Sequence, residues 1–560
     1  MDKIWLKNYP DGVPAEIKLD AYESLSDVLA EACDKFHDRP AFANLGKQLT
    51  YAELDRKSRD FASFLVNVAE LNKGDRVAVM MPNLLQYPVA VFGILRAGLV
   101  VVNINPMYTG RELMEELQDA GATSIVILEN FAHTLESVLG QTAVTHIITT
   151  QVGDLLGFPK SLAVNLALKY VKKMVPEWHL PRPVSFPRAL AEGARRSFRE
   201  APLTRDDLAF LQYTGGTTGR AKGAMLTHGN MIANLEQAST WVHELLEEGQ
   251  ETVITALPLY HIFSLLANCL MFVKLGGLSV LITNPRDMPG FVKELGNWRF
   301  TAITGVNTLF NGLLHTPGFE NLDFVPLKLS LGGGAAVQRA VAERWQKTTD
   351  TPLIEAYGLT EASPAVCINR PDLATYNGSV GLPIPSTEVS IRDDDGNELP
   401  LGETGELTVR GPQVMRGYWR NPNETAMVLS EDGWLRTGDM ATIDAEGYVR
   451  LVDRKKDMIL VSGFNVYPNE IEDVVAAMPG VREVAAIGAP DEHSGEVVKL
   501  VIVKRDPSLT VEQVKKYCRD KLTGYKHPKY VEFRDELPKS NVGKILRRAL
   551  REDEDKKNAA

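Results

Sequence analysis

The chain has 560 residues, 44% of them hydrophobic and 24% charged, and a formal net charge of −11 at pH 7. That length accommodates several domains and a large core, the composition fits a soluble enzyme, and the acidic balance argues against a nucleic-acid partner. Four scattered cysteines, Cys33, Cys269, Cys367 and Cys518, form no Cys-x-x-Cys pair, so neither a disulfide framework nor a zinc site is expected and a reducing, cytoplasmic setting fits.

The first seven residues lack the apolar core of a signal peptide. Residues 21–70 read as helices, with Tyr51-Ala52-Glu53-Leu54 opening an amphipathic one. Strands are expected at 76–81, 100–104 and 124–128, with a helix over 110–120. Strands alternating with helices imply parallel sheets with crossover helices.

Residues 155–176 stand apart. At helical spacing Ser161, Asn165, Lys169, Lys172 and Lys173 share one face, and Ala163, Leu166, Ala167, Tyr170, Val171 and Met174 lie opposite. Two readings are open: a surface helix packed by its apolar face, or an interfacial anchor on an anionic membrane.

The apolar run 208–211 leads into Tyr213-Thr214-Gly215-Gly216-Thr217-Thr218-Gly219-Arg220-Ala221-Lys222-Gly223. Glycines let backbone N–H groups turn toward an anion, threonines add donors, and Lys222 adds a charge suited to phosphate. The alternative is a plain surface loop. The spacing is not Gly-x-x-x-x-Gly-Lys-Ser/Thr, so the common phosphate loop is excluded. Further on, His261 and Phe263 sit in an apolar stretch, where a histidine more often belongs to the core than to catalysis. The apolar window 262–273 is too short to span a bilayer.

Residues 329–336 read as a strand ending in a glycine turn at Gly332-Gly333-Gly334-Ala335, which permits close approach of a flat ligand or merely a tight turn. In the stretch 354–364, Tyr357 can stack on a purine, Thr360 can bond a phosphate and Glu361 can hold Mg²⁺; alone, Glu361 would be a solvated acid. Residues 388–420 alternate as strands with turns such as Asp395-Gly396-Asn397. Asp439 follows Gly438 at a turn, where a carboxylate can accept ribose hydroxyls or form an Asx turn. Beyond about Arg454 a small α+β unit begins, with 21 Lys+Arg against 18 Asp+Glu, while residues 1–453 hold 40 against 54. A more basic cap is compatible with a phosphate-rich co-substrate. Near the C-terminus an Asn-x-Gly turn precedes Lys544.

These motifs, in this order over roughly residues 25–550, resemble those of the adenylate-forming superfamily of acyl-CoA synthetases, luciferases and peptide-synthetase adenylation domains. The run 432–457 closely resembles the signature of fatty acyl-CoA synthetases, and the chain as a whole resembles the bacterial long-chain enzymes. The resemblance implies an α/β chain with a large N-terminal domain, residues 1–453, of two stacked mixed sheets with helices. A small β-barrel-like subdomain at about 385–453 completes that domain, and a small mobile α+β domain follows at 454–560. It implies ATP-dependent activation of a fatty acid to acyl-AMP with release of pyrophosphate, then transfer to CoA.

On the same resemblance the ATP/AMP site comprises Tyr213, Thr214, Gly215, Gly216, Thr217, Thr218, Gly219, Lys222, Gly333, Gly334, Ala335, Tyr357, Gly358, Thr360, Asp439 and Arg454. Lys544 is the catalytic lysine, and Thr214 and Glu361 hold Mg²⁺. His261 and Phe263 border the acyl pocket, Lys456 is the hinge, and Gly463 lies on the CoA path. Fatty acid, ATP and CoA are the expected partners, with a homodimer and peripheral contact with the inner face of the cell membrane as further expectations. The rival functions are activation of medium-chain or aryl acids, transfer of the acyl group to a carrier protein, and a non-catalytic nucleotide sensor on the same fold.

Overall fold

The computed structural model describes residues 3–214, 221–491 and 493–559. Two large sheets form the body. One has seven strands; its central members, Ser124–Leu128, Arg76–Met80, Val100–Asn103 and Leu208–Thr214, run parallel, and Lys222–Thr227 closes one edge antiparallel to Leu208–Thr214. The other has nine, with Leu353–Gly358, Leu329–Gly333, Ala302–Gly305, Thr252–Thr255 and Leu278–Leu281 parallel at its centre. Strands such as Val100–Asn103, Ser124–Leu128 and Leu329–Gly333 are buried along their whole length, as expected for sheets covered on both faces.

One apolar core joins the sheets. It contains Val101 and Phe210 from the first, Leu329 and Ile354 from the second, and Leu54, Phe61 and Leu235 from helices packed with them. Those helices start where side chains satisfy their free N–H groups. Thr50 and Glu53 form a reciprocal cap on Tyr51–Asn67, and Thr227 and Asn230 do the same for His228–Trp241. Ahead of the first lies the strand pair Pro40–Asn44 and Lys47–Thr50, within a region the sequence reads as helical.

The small β unit is a four-stranded antiparallel meander: Glu388–Arg392, Gly405–Arg410, Leu435–Ile443 and Val449–Arg454. The C-terminal unit has its own sheet, in which Val481–Asp491 and Gly495–Lys504 form a long hairpin and Tyr530–Arg534 adds parallel. Its core, from Ile459 to Cys518, is separate from that of the body.

Candidate functional site

The strands Leu329–Gly333 and Leu353–Gly358 run parallel and end side by side, with Gly333 opposite Ala356. Their ends, together with Thr214, Lys222, Asp439, Arg454 and Lys544, line one cavity of about 1860 Å³. It lies outside the carboxyl ends of parallel strands, where α/β sheets bind ligands.

The first wall is a hairpin. Thr214 and Lys222 are ladder partners at the end of the antiparallel pair Leu208–Thr214 and Lys222–Thr227. Gly215, Gly216, Thr217, Thr218 and Gly219 lie outside the described residues. The Lys222 ammonium pairs with the Glu424 carboxylate and stands 5.2 Å from the centre of the Tyr418 ring. Tyr418 Oη donates to Glu361 Oε1 at 2.8 Å, so the loop lysine and the candidate metal ligand meet on one aromatic side chain. Tyr213 Oη donates to Asp119 Oδ2 at 2.5 Å, and burial raises its hydroxyl pKa.

The second wall carries the nucleoside candidates. Gly334 turns at φ +75°, a conformation that costs glycine nothing. Gly358 admits no side chain, since a Cβ there would meet Pro364 O at 2.2 Å. Ala335 and Thr360 line the same cavity. Tyr357 Oη donates to Asp439 Oδ2 at 2.7 Å, and Arg454 Nε lies 3.4 Å from Asp439 Oδ1. Burial raises the Tyr357 hydroxyl pKa, so it stays a donor.

Lys544 enters from the C-terminal unit. Ser540 N donates to Lys544 O at 2.7 Å, and Thr308 Oγ1 of the body donates to Gly543 O at 2.7 Å. Burial, then the neighbouring Arg454 charge, lowers the Lys544 ammonium to about 8, opposed by Asp439. His261 also lines the cavity; its Nδ1 accepts the Phe263 N–H at 3.3 Å, and burial lowers its pKa to about 4. It is a neutral helix cap rather than a base at neutral pH. The Phe263 ring packs 3.2 Å from where a Gly333 Cβ would stand. Beyond it the wall turns apolar with Leu266, Ala267, Met271, Leu329 and Leu331. Leu329 and Leu331 alternate on one strand with Gly333, so the leucines extend this wall about 7 Å at ~3.3 Å per residue.

Two predicted residues stand further out. Lys456 lies in the short helical turn Lys455–Asp457 that follows Val449–Arg454, and it borders the cavity. Gly463 is not among the cavity-lining residues; it is the turn between Ile459–Val461 and Phe464–Val466, at φ +85°. The sequence reading assigned no role to Tyr418, Glu424 or Glu355. Glu355 is buried in the cavity wall, its Oε2 has no partner among the described residues, and burial pushes its carboxyl up to about 8. An acid inside the apolar strand run Leu353–Gly358 was its one visible signal.

Among the described residues no three His, Cys, Asp or Glu side chains gather as a metal cage. Glu361 and Thr214 offer hard oxygens on the shared cavity, which fits a Mg²⁺ ion that is held mostly by a substrate's phosphates.

Residues 29–419 match the AMP-binding enzyme family, and residues 470–544 match the AMP-binding enzyme C-terminal domain. A long-chain-fatty-acid–CoA ligase of Escherichia coli O6:H1 is 59% identical over 553 residues, covering 99% of this chain and 98% of its own. Among solved structures, ATP-bound MatB from Rhodopseudomonas palustris has a TM-score of 0.77 at 30% identity, covering 94% of this chain and 98% of its own. The anthranilate CoA ligase AuaEII, solved with anthranoyl-AMP, has a TM-score of 0.86 at 24% identity, covering 97% and 100%, and shares the fold. With a family match over more than half its length and so similar a relative across almost all of it, this chain belongs to the AMP-binding enzyme family.

Proposed function

We propose that the protein is an AMP-forming acid–thiol ligase that activates long-chain fatty acids with ATP and passes the acyl group to CoA. The observation that carries this reading is the continuous cavity, lined by cationic and hydroxylic side chains and, past Phe263, by the apolar Leu266, Ala267, Met271, Leu329 and Leu331. A carboxylate is a poor electrophile because its charge is delocalised. Attack of its oxygen on the α-phosphorus of ATP forms the acyl–phosphate bond of acyl-AMP and breaks the bond to pyrophosphate. The CoA thiol then forms the thioester and AMP leaves with the electron pair.

The first step brings anions together, so charge neutralisation and positioning carry most of it. Lys222 and the loop hydroxyls receive the β- and γ-phosphates, for which Lys222 exchanges its Glu424 partner. Mg²⁺, when bound by Glu361 and Thr214, neutralises phosphate charge. Tyr357 stacks on the adenine, and Asp439, held by Arg454, accepts from the ribose. Lys544 bridges the carboxylate and the α-phosphate. For the second step, residues 454–560 turn as a unit about Lys456, withdrawing Lys544 and bringing the face near Gly463 to the pantetheine arm. A CoA-dependent activity panel over acids of graded length, with aryl acids as controls, tests the reading. Long-chain acids are expected to give the highest kcat/KM, and preference for aryl or short acids would overturn the substrate assignment.

A second surface supports a peripheral location. Six of the sixteen exposed large hydrophobic side chains among the described residues fall within 158–174: Phe158, Leu162, Leu166, Tyr170, Val171 and Met174. Asn165 and Val164 are the side chains of this helix turned inward, Val164 against the main core. Asn165 accepts from Gly153 N at 2.7 Å and donates to Gln151 Oε1 at 2.8 Å. No described helix is long and apolar enough to cross a membrane. This patch, rimmed by Lys169, Lys172 and Lys173, rests on the anionic inner face of the cell membrane, from which the acid substrate is collected.

A further inference from the structure

A buried charged knot ties the candidate catalytic lysine to the junction between the body and the C-terminal unit. Arg547 follows Lys544 by three residues and begins the last helix, Arg547–Ala559. Its guanidinium donates from Nη1 to Asp453 Oδ1 at 2.9 Å, and from Nε and Nη2 to Glu472 at 2.9 and 2.7 Å. It also bonds Asn469, and its Nη1 lies 3.6 Å from Asp457. Asp453, its side chain 1% exposed, accepts the Asn469 N–H on Oδ2 at 2.8 Å. Asp457 is held in turn by Arg551 at 2.7 Å.

The partners fall on two sides of Lys456. Asp453 belongs to Val449–Arg454, the last strand of the body's meander. Asn469 and Glu472 lie on Pro468–Ala476 of the C-terminal unit, and Arg547 lies beyond them. Glu472 and Arg547 therefore travel together in any rotation about Lys456, while Asp453 stays with the body. Such a rotation breaks the two bonds that Asp453 accepts, from Arg547 and from the Asn469 N–H, together with weaker-placed neutral ones such as Asn469 Nδ2 to Val452 O at 3.3 Å and Asn311 Nδ2 to Arg482 O at 3.1 Å. Another bond across the same junction, from Thr308 to Gly543 O, sits beside Lys544 itself.

We propose that the Asp453–Arg547 pair is the latch of the domain arrangement that presents Lys544 for adenylation, with Arg547 as a positioning residue for Lys544. The inference rests on the reading of the protein as a two-step ligase and adds to it what holds the first state. A desolvated, hydrogen-bonded fork is suited to this. It is costly to leave half-made, so the pair is either engaged or given up, which favours two discrete arrangements over a continuum. Arginine is the residue type for it, because one planar group satisfies carboxylates on both sides of the junction at fixed angles.

The test separates the half-reactions. Asp453→Asn keeps an acceptor for the Asn469 N–H and removes the charge opposite Arg547; Arg547→Lys keeps the charge and removes the fork. Each is expected to slow acid-dependent pyrophosphate release about tenfold, as a smaller share of molecules holds the adenylation arrangement. Thioester formation from supplied acyl-AMP is expected to hold or rise. The double variant should lose no more than the worse single one in the first step, as partners in one interaction do. All four native cysteines are buried, so fluorophores can be placed selectively at Val325→Cys in the body and Glu512→Cys in the C-terminal unit. The substrate-free label distance should shift in both latch variants. That readout needs no turnover, so it stands even if wild type activates no acid, a result that would overturn the ligase reading alone. Equal loss of both half-reactions in an active background, or an unchanged label distance in a folded variant, would overturn the latch.

Discussion

At the scale of single residues, the site sets Lys544 against its ordinary ionisation. Burial and Arg454 lower the Lys544 ammonium to about 8, so its charge is fully present below that pH and is lost as pH rises through it. Adenylation should therefore decline above about pH 8, while thioester formation from supplied acyl-AMP should not share that limb; half-reaction rates against pH would show it. Lys544→Ala should lower adenylation by about 10²–10³-fold or more, as loss of a preorganised charge contact does, and largely spare the second step. Equal loss in both steps would remove Lys544 from the first. Glu361 makes a different demand. Its Oε1 takes the Tyr418 hydroxyl, which leaves lone pairs for a hard cation. Glu361→Ala should raise the Mg²⁺ concentration needed for half-maximal activity, read from a magnesium titration at fixed ATP. An unchanged midpoint in the folded variant would return Glu361 to a structural role.

Elements explain why so much was visible beforehand, and where it stopped. The helix Gly110–Ala120 carries its own start and stop, with Thr109 and Glu112 capping each other and Gly121 left-handed at its end. Fully apolar strands such as Ser124–Leu128 announce a covered sheet. The cavity's motif residues cluster at strand ends and turns, where residue type is dictated locally, so they too could be read. Pairings that depend on distant chain could not. Glu424 meets Lys222 across 202 positions, and Tyr418 meets Glu361 across 57. The strands Pro40–Asn44 and Lys47–Thr50 depend on a parallel partner, Leu278–Leu281, far along the chain. Segment 155–176 shows the same limit: helical spacing places the faces, but only contacts say which side chains, Asn165 and Val164, turn inward. The short turn Lys455–Asp457 tests the element scale directly. Lys456→Pro fixes φ near −65° at a position whose φ and ψ must change if the C-terminal unit rotates there. Adenylation should survive and thioester formation collapse, by parallel assays of pyrophosphate and CoA thioester. Equal loss in a folded variant would move the hinge elsewhere.

For the whole molecule, the question is where a chain with no described helix able to cross a membrane meets a substrate that partitions into lipid. The patch at 158–174 has the form such contact needs. The helix Lys160–Leu166 runs into a π-type turn, with Lys172 N bonding Ala167 O at 2.8 Å, and the chain then reverses at Lys173, φ +50°. Pinned from below by Asn165, the turn holds Phe158 and Val171 outward, 86% and 79% exposed. Isolated exposed apolar side chains are ordinary, but a contiguous group marks an interaction surface. The lysines choose among partners. Each basic residue near an anionic surface contributes about 1 kcal/mol, so Lys169, Lys172 and Lys173 give weak, reversible attraction that salt weakens. Wild-type protein should co-sediment with anionic vesicles and less with neutral ones, and binding should fall as ionic strength rises. A Lys169/Lys172/Lys173→Glu variant should lose most of that binding, and Leu162/Leu166/Tyr170→Ser should lose the part that persists at high salt. Both should keep activity on short, water-soluble acids, because no residue of the patch lines the cavity. Equal vesicle binding by wild type and both variants would overturn the assignment. A lipid-free dimer that the serine variant dissolves would instead make the patch a contact between two copies of the chain.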